Sequence, residues 1–212
     1  MKSSDEEITL MTRDNGNETV GDGMTVVPIR LLTWNVNGLR AILQREKKRG
    51  LCEFLEELDA DIVCVQETKM TRAELEEELA RPRGFDAFYS FCRVRSGYSG
   101  VATFCRSAVV PTVAAEEGLT GQWPVDDAIG HLGDIHTAIP AKELAELDSE
   151  GRCVITDHGA FVLFNVYCPA LRSSERLEYK MAFHELLEDR VKALRRAGRR
   201  VIVVHRAGSN GL

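Results

Sequence analysis

Apolar residues in this chain fall into short runs, and the spacing within the runs switches between strand and helix. Ile29 to Trp34 is an apolar, strand-like run. Leu51, Phe54, Leu55 and Leu58 recur at helical spacing until Asp59-Ala60-Asp61 breaks the pattern, and Ile62-Val63-Cys64-Val65 then suits a buried strand. A short acidic helix is predicted from Ala73 to Ala80, ending before Pro82, with strands to follow at Phe85–Phe91 and Gly100–Cys105. From Ala114 to Asp148 the pattern weakens among glycines and prolines, as in a long irregular region. Cys153–Thr156 and Phe161–Tyr167 are expected to pair around a turn at Asp157-His158-Gly159. A longer helix opens at Ser173 or Ser174 with Phe183, Leu187, Val191 and Leu194 on one face, and Val201–Val204 is a last buried strand. Strands alternating with helices predict an α/β layered fold over residues 28–204. Residues 1–27 are polar and acidic-leaning and are expected to be a mobile tail, and 205–212 have no pattern at all.

At 212 residues, 44% hydrophobic and 28% charged, the chain has the balance of a folded globular protein. No apolar run approaches the roughly 20 residues that a membrane helix needs, and the N-terminus lacks the order of a secretory signal, so a membrane partner is not expected and an intracellular protein is. The six cysteines form no CxxC pair, which predicts reduced thiols. The formal net charge of −6 argues against general nucleic-acid coating, because phosphate contacts draw on a surplus of Lys and Arg. Any nucleic-acid site must therefore be a local basic patch.

Four motifs carry candidate chemistry. Thr33-Trp34-Asn35-Val36-Asn37-Gly38-Leu39-Arg40 ends a strand in two amides and a glycine turn, suited to orienting a carboxylate or phosphate, or simply to an Asx turn. Val65-Gln66-Glu67-Thr68-Lys69 puts a carboxylate at the end of a buried strand beside a lysine. Ligand sites in α/β sheets collect there, and a hard oxygen donor suits Mg²⁺; a solvated strand-end Glu is equally compatible. Arg95-Ser96-Gly97-Tyr98-Ser99-Gly100-Val101-Ala102, with Arg93 before it, offers glycines, charge and an aromatic to a phosphate backbone, or forms a tight turn. Leu147-Asp148-Ser149-Glu150-Gly151-Arg152 and Asn165-Val166-Tyr167-Cys168-Pro169 taken singly suggest turn chemistry.

In this order and at these intervals, LTWNVNGLR, DIVCVQETK, RSGYSGVATF, AAEEGL, LDSEGR and NVYCP resemble the exonuclease III class of apurinic/apyrimidinic (AP) endonucleases, most of all its AP endonuclease 2 branch, over about Pro28 to Val204. The wider endonuclease/exonuclease/phosphatase superfamily shares the strand-end Asn and Glu but not SGYSGVATF or LDSEGR. The resemblance implies a four-layer αβ/βα sandwich of the DNase I-like type, here truncated to roughly its first half. It implies Mg²⁺, or Mn²⁺, held by Glu67 with Asn35, with Lys69 fixing Glu67. Asn35, Lys69 and Tyr167 would be catalytic, Tyr167 touching the scissile phosphate, and Arg93, Arg95 and Tyr98 would hold DNA. The implied reaction is hydrolysis of a DNA phosphodiester at abasic sites or blocked 3′ ends in base excision repair, in the nucleus.

The sequence also departs from that class. After Val204 the family continues Gly-Asp-Leu-Asn, which supplies a water-activating carboxylate and a phosphate-binding amide; this chain has His205-Arg206-Ala207-Gly208. Ala170 stands where the family usually has Asn or His, and the later Asp-containing strand, terminal Ser-Asp-His, clamp-binding motif and zinc finger are absent from this sequence. An inactive fragment or DNA-binding remnant is therefore an open alternative, as is a phosphatase of the same superfamily. Truncation is further expected to leave the first sheet's apolar face uncovered and prone to association.

Overall fold

The computed structural model describes residues 4–11, 26–45, 50–121, 129, 140–171 and 174–207. Nine strands form two sheets among them. The first has the order β1-β2-β3-β5-β4, built from β1 (Ser4–Met11), β2 (Val26–Asn35), β3 (Ile62–Gln66), β4 (Phe85–Ser90) and β5 (Val101–Arg106). Only β2 and β3 run parallel within it. The second has the order β6-β7-β8-β9, from β6 (Ala114–Glu117), β7 (Cys153–Asp157), β8 (Val162–Cys168) and β9 (Val201–Ala207), with β8 and β9 parallel.

The period of two along each strand separates two kinds of core. On β3, Val63 and Val65 face helices α1 (Leu39–Arg45) and α2 (Leu51–Glu57), joining Leu39, Leu51, Phe54 and Leu55. Ile62 and Cys64 face the other sheet, packing with Cys105, Phe161, Leu163 and Val204. On β8 the alternation is mirrored: Val162, Phe164 and Val166 pack with Leu144 and Leu147 of α4 (Ala141–Ser149) and with Phe183, Leu186 and Leu194 of α5 (Ser174–Arg196). Each sheet thus has helices on one face and the other sheet on its second face, which is the four-layer αβ/βα sandwich. The inner face of the first sheet is covered by β7 and β8, so the expectation of an uncovered apolar sheet is corrected.

Other expectations need correcting. Part of the segment expected to be a tail is strand: β1 pairs antiparallel with β2 from Ser4↔Thr33 to Met11↔Val26, a pairing of backbones that needs no apolar run. Residues 1–3 and 12–25 of that segment lie outside the described residues. Likewise β9 does not stop at Val204, since His205, Arg206 and Ala207 continue in register with Val166, Tyr167 and Cys168; 208–212 lie outside the described residues. The helix expected from Ala73 to Ala80 is split. A capping box between Thr71 and Glu74 starts a single 3-10 turn (Arg72–Glu74), Leu75 returns to extended backbone, and α3 covers only Glu77–Ala80. The region expected to be irregular holds β6 and α4 at its two ends. No helix among the described residues is long and apolar enough to cross a membrane.

One glycine determines how the two halves meet. Gly151 has φ +61°, and a Cβ there would lie 2.3 Å from the Phe91 carbonyl carbon and 2.6 Å from Cys92 N. The 148–152 segment therefore lies directly against the end of β4, and Arg93 N donates to Ser149 O at 2.8 Å. Gly151→Ala combines backbone strain with overpacking and is predicted to cost about 2 kcal/mol or more. An unchanged denaturant midpoint at unchanged m-value would refute that close approach.

Candidate active site

Strand ends from both sheets converge at one edge of the sandwich. Beyond β2 and β3 the chain stays knitted by backbone hydrogen bonds: Val36 N to Gln66 O at 3.0 Å, Gly38 N to Glu67 O at 2.7 Å and Leu39 N to Thr68 O at 3.0 Å. The loop before β5 joins them through Thr68 N to Gly100 O (3.0 Å) and Lys69 N to Ser99 O (2.9 Å). Asn37, Glu67, Lys69 and Ser99 all take φ near +50° there. Non-glycine residues pay for that conformation only where the surroundings over-determine it, and such strain clusters at functional sites.

Glu67 is the centre. Its Oε1 accepts from Asn35 Nδ2 at 2.7 Å and from the Tyr167 hydroxyl at 2.8 Å, and its Oε2 lies 3.3 Å from Lys69 Nζ. Burial pushes the Glu67 carboxyl up, but the hydrogen bonds from Asn35, Tyr167 and Lys69 outweigh it and hold the group below the usual carboxylate range. The Tyr167 phenol is raised, first by burial and then by donating to Glu67. At neutral pH the pair is therefore a carboxylate and an intact phenol. Asn35 uses both ends of its amide, since its Oδ1 accepts from Asn37 N at 3.1 Å, and Lys69 also donates to Asn37 Oδ1.

The remaining predicted residues divide. Tyr98 accepts a hydrogen bond on its hydroxyl from Arg152 Nη2 at 3.0 Å and carries the exposed Arg95 guanidinium 5.3 Å from its ring centre. Arg93 instead pairs with Glu117 at 3.0 Å, a carboxylate that also meets Arg72 at 3.3 Å and Ser90 Oγ at 3.2 Å. Residues that sequence reasoning did not single out hold the rest together. Gln66 and Asn165 bond across the sheets at 2.9 Å; Arg152 joins Tyr98 to the backbone of Tyr167; Glu150 and Arg176 brace Arg152. All but Arg176 lie inside the quoted motifs, so the motifs were the available signal. Asp148 in turn accepts from Leu119 N at 2.7 Å and Thr120 N at 3.1 Å, which ties LDSEGR to AAEEGL.

Among the described residues no cluster of three or more His, Cys, Asp or Glu could hold a metal. The donor set is one ionised, partly exposed carboxylate beside an amide. That fits Mg²⁺ in part, because Mg²⁺ keeps several waters and takes one or two protein carboxylates with substrate phosphate.

The endonuclease/exonuclease/phosphatase family matches residues 32–204 of this sequence. The chain belongs to that family. Among its relatives is the DNA-(apurinic or apyrimidinic site) endonuclease 2 of Mus musculus, 44% identical over 195 residues, an alignment that covers 83% of this chain and 37% of the relative. A Bacillus subtilis exodeoxyribonuclease is 30% identical over 75% of this chain and 50% of its own length. The crystal structure of the Xenopus laevis APE2 catalytic domain superposes with a TM-score of 0.70 at 40% identity, covering 82% of this chain and 57% of that one. The chain thus spans under two-fifths of that mouse relative. The family match ends at Val204, after which this sequence has His205-Arg206-Ala207-Gly208 where the resemblance implies Gly-Asp-Leu-Asn. In register, residue 206 pairs with Tyr167, so an arginine occupies the position at which the resemblance implies the family's water-activating carboxylate.

A carboxyl depressed on folding stabilises the native state above its unfolded pKa, and that contribution disappears as the pH falls through the folded value. Tyr167→Phe removes one of the hydrogen bonds that depress Glu67. The substitution is predicted to cost roughly 1–3 kcal/mol at neutral pH and less in acid, where Glu67 is protonated in both proteins. Denaturant melts at neutral pH and at the most acidic pH where both stay folded test this; a cost independent of pH would contradict it.

Proposed function

We propose that this chain bears the Glu67 half of an AP endonuclease-type site, binds duplex DNA carrying abasic sites or blocked 3′ ends, and does not cleave it by itself. The observation that carries the reading is the meeting of Asn35, Glu67 and Tyr167 at joined strand ends, in a chain of this family 44% identical to an AP endonuclease 2. The family is one of divalent-metal-dependent nucleases. Glu67 would hold the ion, Mg²⁺ or Mn²⁺. When bound, such an ion supplies Lewis-acid stabilisation of phosphate oxygens and a more acidic water.

The protein's own groups set the conditions for that chemistry. Asn35 and Lys69 orient Glu67 and keep it ionised. Tyr167 presents a phenol at the same edge, where a scissile phosphate would lie, and Arg95 with Tyr98 offers cation and aromatic surface to the DNA backbone. The missing step is activation of the attacking water, because residue 206 is Arg and not a carboxylate. Loss of one preorganised transition-state group typically costs roughly 10²–10³ in rate. Hydrolysis of a soluble phosphoester is the less favoured reading, since Tyr98 is tied through Arg152 to Tyr167 and the basic loop therefore borders the Glu67 site.

The test is incision of a labelled duplex with one abasic-site analogue, in Mg²⁺ and in EDTA, beside Glu67→Ala. Salt-dependent binding with no incision above the Glu67→Ala control is the expected result. Metal-dependent incision that the substitution abolishes would overturn the claim that the chain lacks turnover, and absence of binding would overturn the DNA-binding claim.

A further inference from the structure

Arg152 is almost completely enclosed, with 2% of its surface exposed, yet it is not used in the Glu67 cluster. Each of its three nitrogens donates a hydrogen bond. Nε donates to Glu150 Oε2 at 2.6 Å, Nη1 to the Tyr167 carbonyl at 3.0 Å and Nη2 to the Tyr98 hydroxyl at 3.0 Å. Its guanidinium carbon also lies 5.0 Å from the Tyr167 ring centre and 5.6 Å from that of Tyr98, within cation–π range of both. Glu150 is held in turn by a two-pronged pair with Arg176 of α5, at 2.8 and 3.0 Å.

We propose that Arg152 is a positioning residue that sets the spacing between Tyr98 on the DNA-facing loop and Tyr167 on the Glu67 side, with Glu150 and Arg176 as its brace. This rests on the reading that Tyr98 contacts DNA. A buried arginine whose charge is offset by one carboxylate would be costly as a mere filler. Its planar fork reaches a carboxylate, a carbonyl and a hydroxyl from three separate nitrogens, whereas the three donors of a lysine all radiate from one. Residues 93–97 are exposed and Tyr98 is half-buried, whereas Ser99 and Gly100 are buried beside Thr68 and Lys69. Tyr98 is therefore held at its backbone side by the adjoining strand-end turn and at its hydroxyl by Arg152. Without that donor, the phenol would keep its place in the chain but lose its orientation toward the edge where Tyr167 meets Glu67. The same guanidinium favours a phenol ring face at each tyrosine, so the two rings are oriented as a pair.

The experiment uses the full chain and two readouts. Affinity for a fluorescein-labelled duplex with one tetrahydrofuran abasic-site analogue is measured in EDTA for wild type, Tyr98→Phe, Arg152→Met and the double variant; hydrogen exchange by mass spectrometry is followed over 93–100 and over β3. Arg152→Met is expected to weaken binding about tenfold, the scale of one lost charged hydrogen bond, and to add less than about twofold once Tyr98 is Phe. It should raise exchange in 93–100 and leave β3 unchanged. Arg152→Lys, which keeps the charge and loses the fork, should reproduce the exchange change and serves if the Met variant does not fold. Additive losses with raised exchange in β3 would mean that Arg152 only supports the core, and unchanged exchange in 93–100 would refute the proposal outright. If the wild type binds no DNA, the function proposed above fails, and the exchange data alone decide whether Arg152 orders the loop.

Discussion

The site depends on one polar contact between the sheets. Gln66 and Asn165 are both wholly buried, and Gln66 Nε2 reaches Asn165 Oδ1 at 2.9 Å between the sheets. The Asn165 amide continues to the Ala102 carbonyl at 2.8 Å and to Thr103 Oγ1 at 3.2 Å, and Gln66 also donates to Thr33 Oγ1 at 3.0 Å. Apolar packing alone tolerates sliding of one sheet over another, because it is non-directional. A buried amide without its partner costs about 1–3 kcal/mol, so slipped registers that separate these two are penalised. Gln66 Oε1 finds no partner, which is a cost the interlock carries in the register observed. Glu67 follows Gln66 by one residue and Tyr167 follows Asn165 by two, so the same contact that registers the sheets brings carboxylate and phenol together.

A second constraint acts on the opposite flank. Asp148 caps the chain after β6, Gly151 lets 148–152 lie against the end of β4, and Arg152 links both tyrosines. Between them, the two constraints surround the Glu67 cluster with residues from both sheets. The cluster can therefore keep a depressed carboxylate in a half-buried place, a state that donors must hold against desolvation.

Much of this arrangement was legible in the sequence, and the exceptions share a cause. β3 and β8 stood out because both their faces are buried, which yields continuous apolar runs. α4 was hidden because it opens at Pro140 and its buried apolar contacts are limited to Leu144 and Leu147, and β1 because its pairing with β2 is a backbone matter. Asn35, Glu67 and Tyr167 were found through motifs at strand ends, yet nothing local says that Tyr167 donates to Glu67, 100 residues earlier. Gln66, Asn165 and Arg152 reach the site through partners on distant segments, 54 residues away for the Arg152–Tyr98 bond, so each looks in sequence like a neighbour of the residue that matters. Arg93 shows the reverse case: a charge beside the RSGYSGVATF motif pairs with Glu117, a residue that motif does not contain.

The Gln66–Asn165 interlock thus holds Glu67 in its ionised, hydrogen-bonded state. Titration of the Glu67 carboxyl carbon by NMR, in wild type and in Asn165→Leu, tests it most directly. The substitution is expected to move Glu67 upward toward the ordinary glutamate range, as Tyr167 loses its register with the carboxylate. A folded Asn165→Leu protein in which Glu67 titrates as in wild type would contradict it.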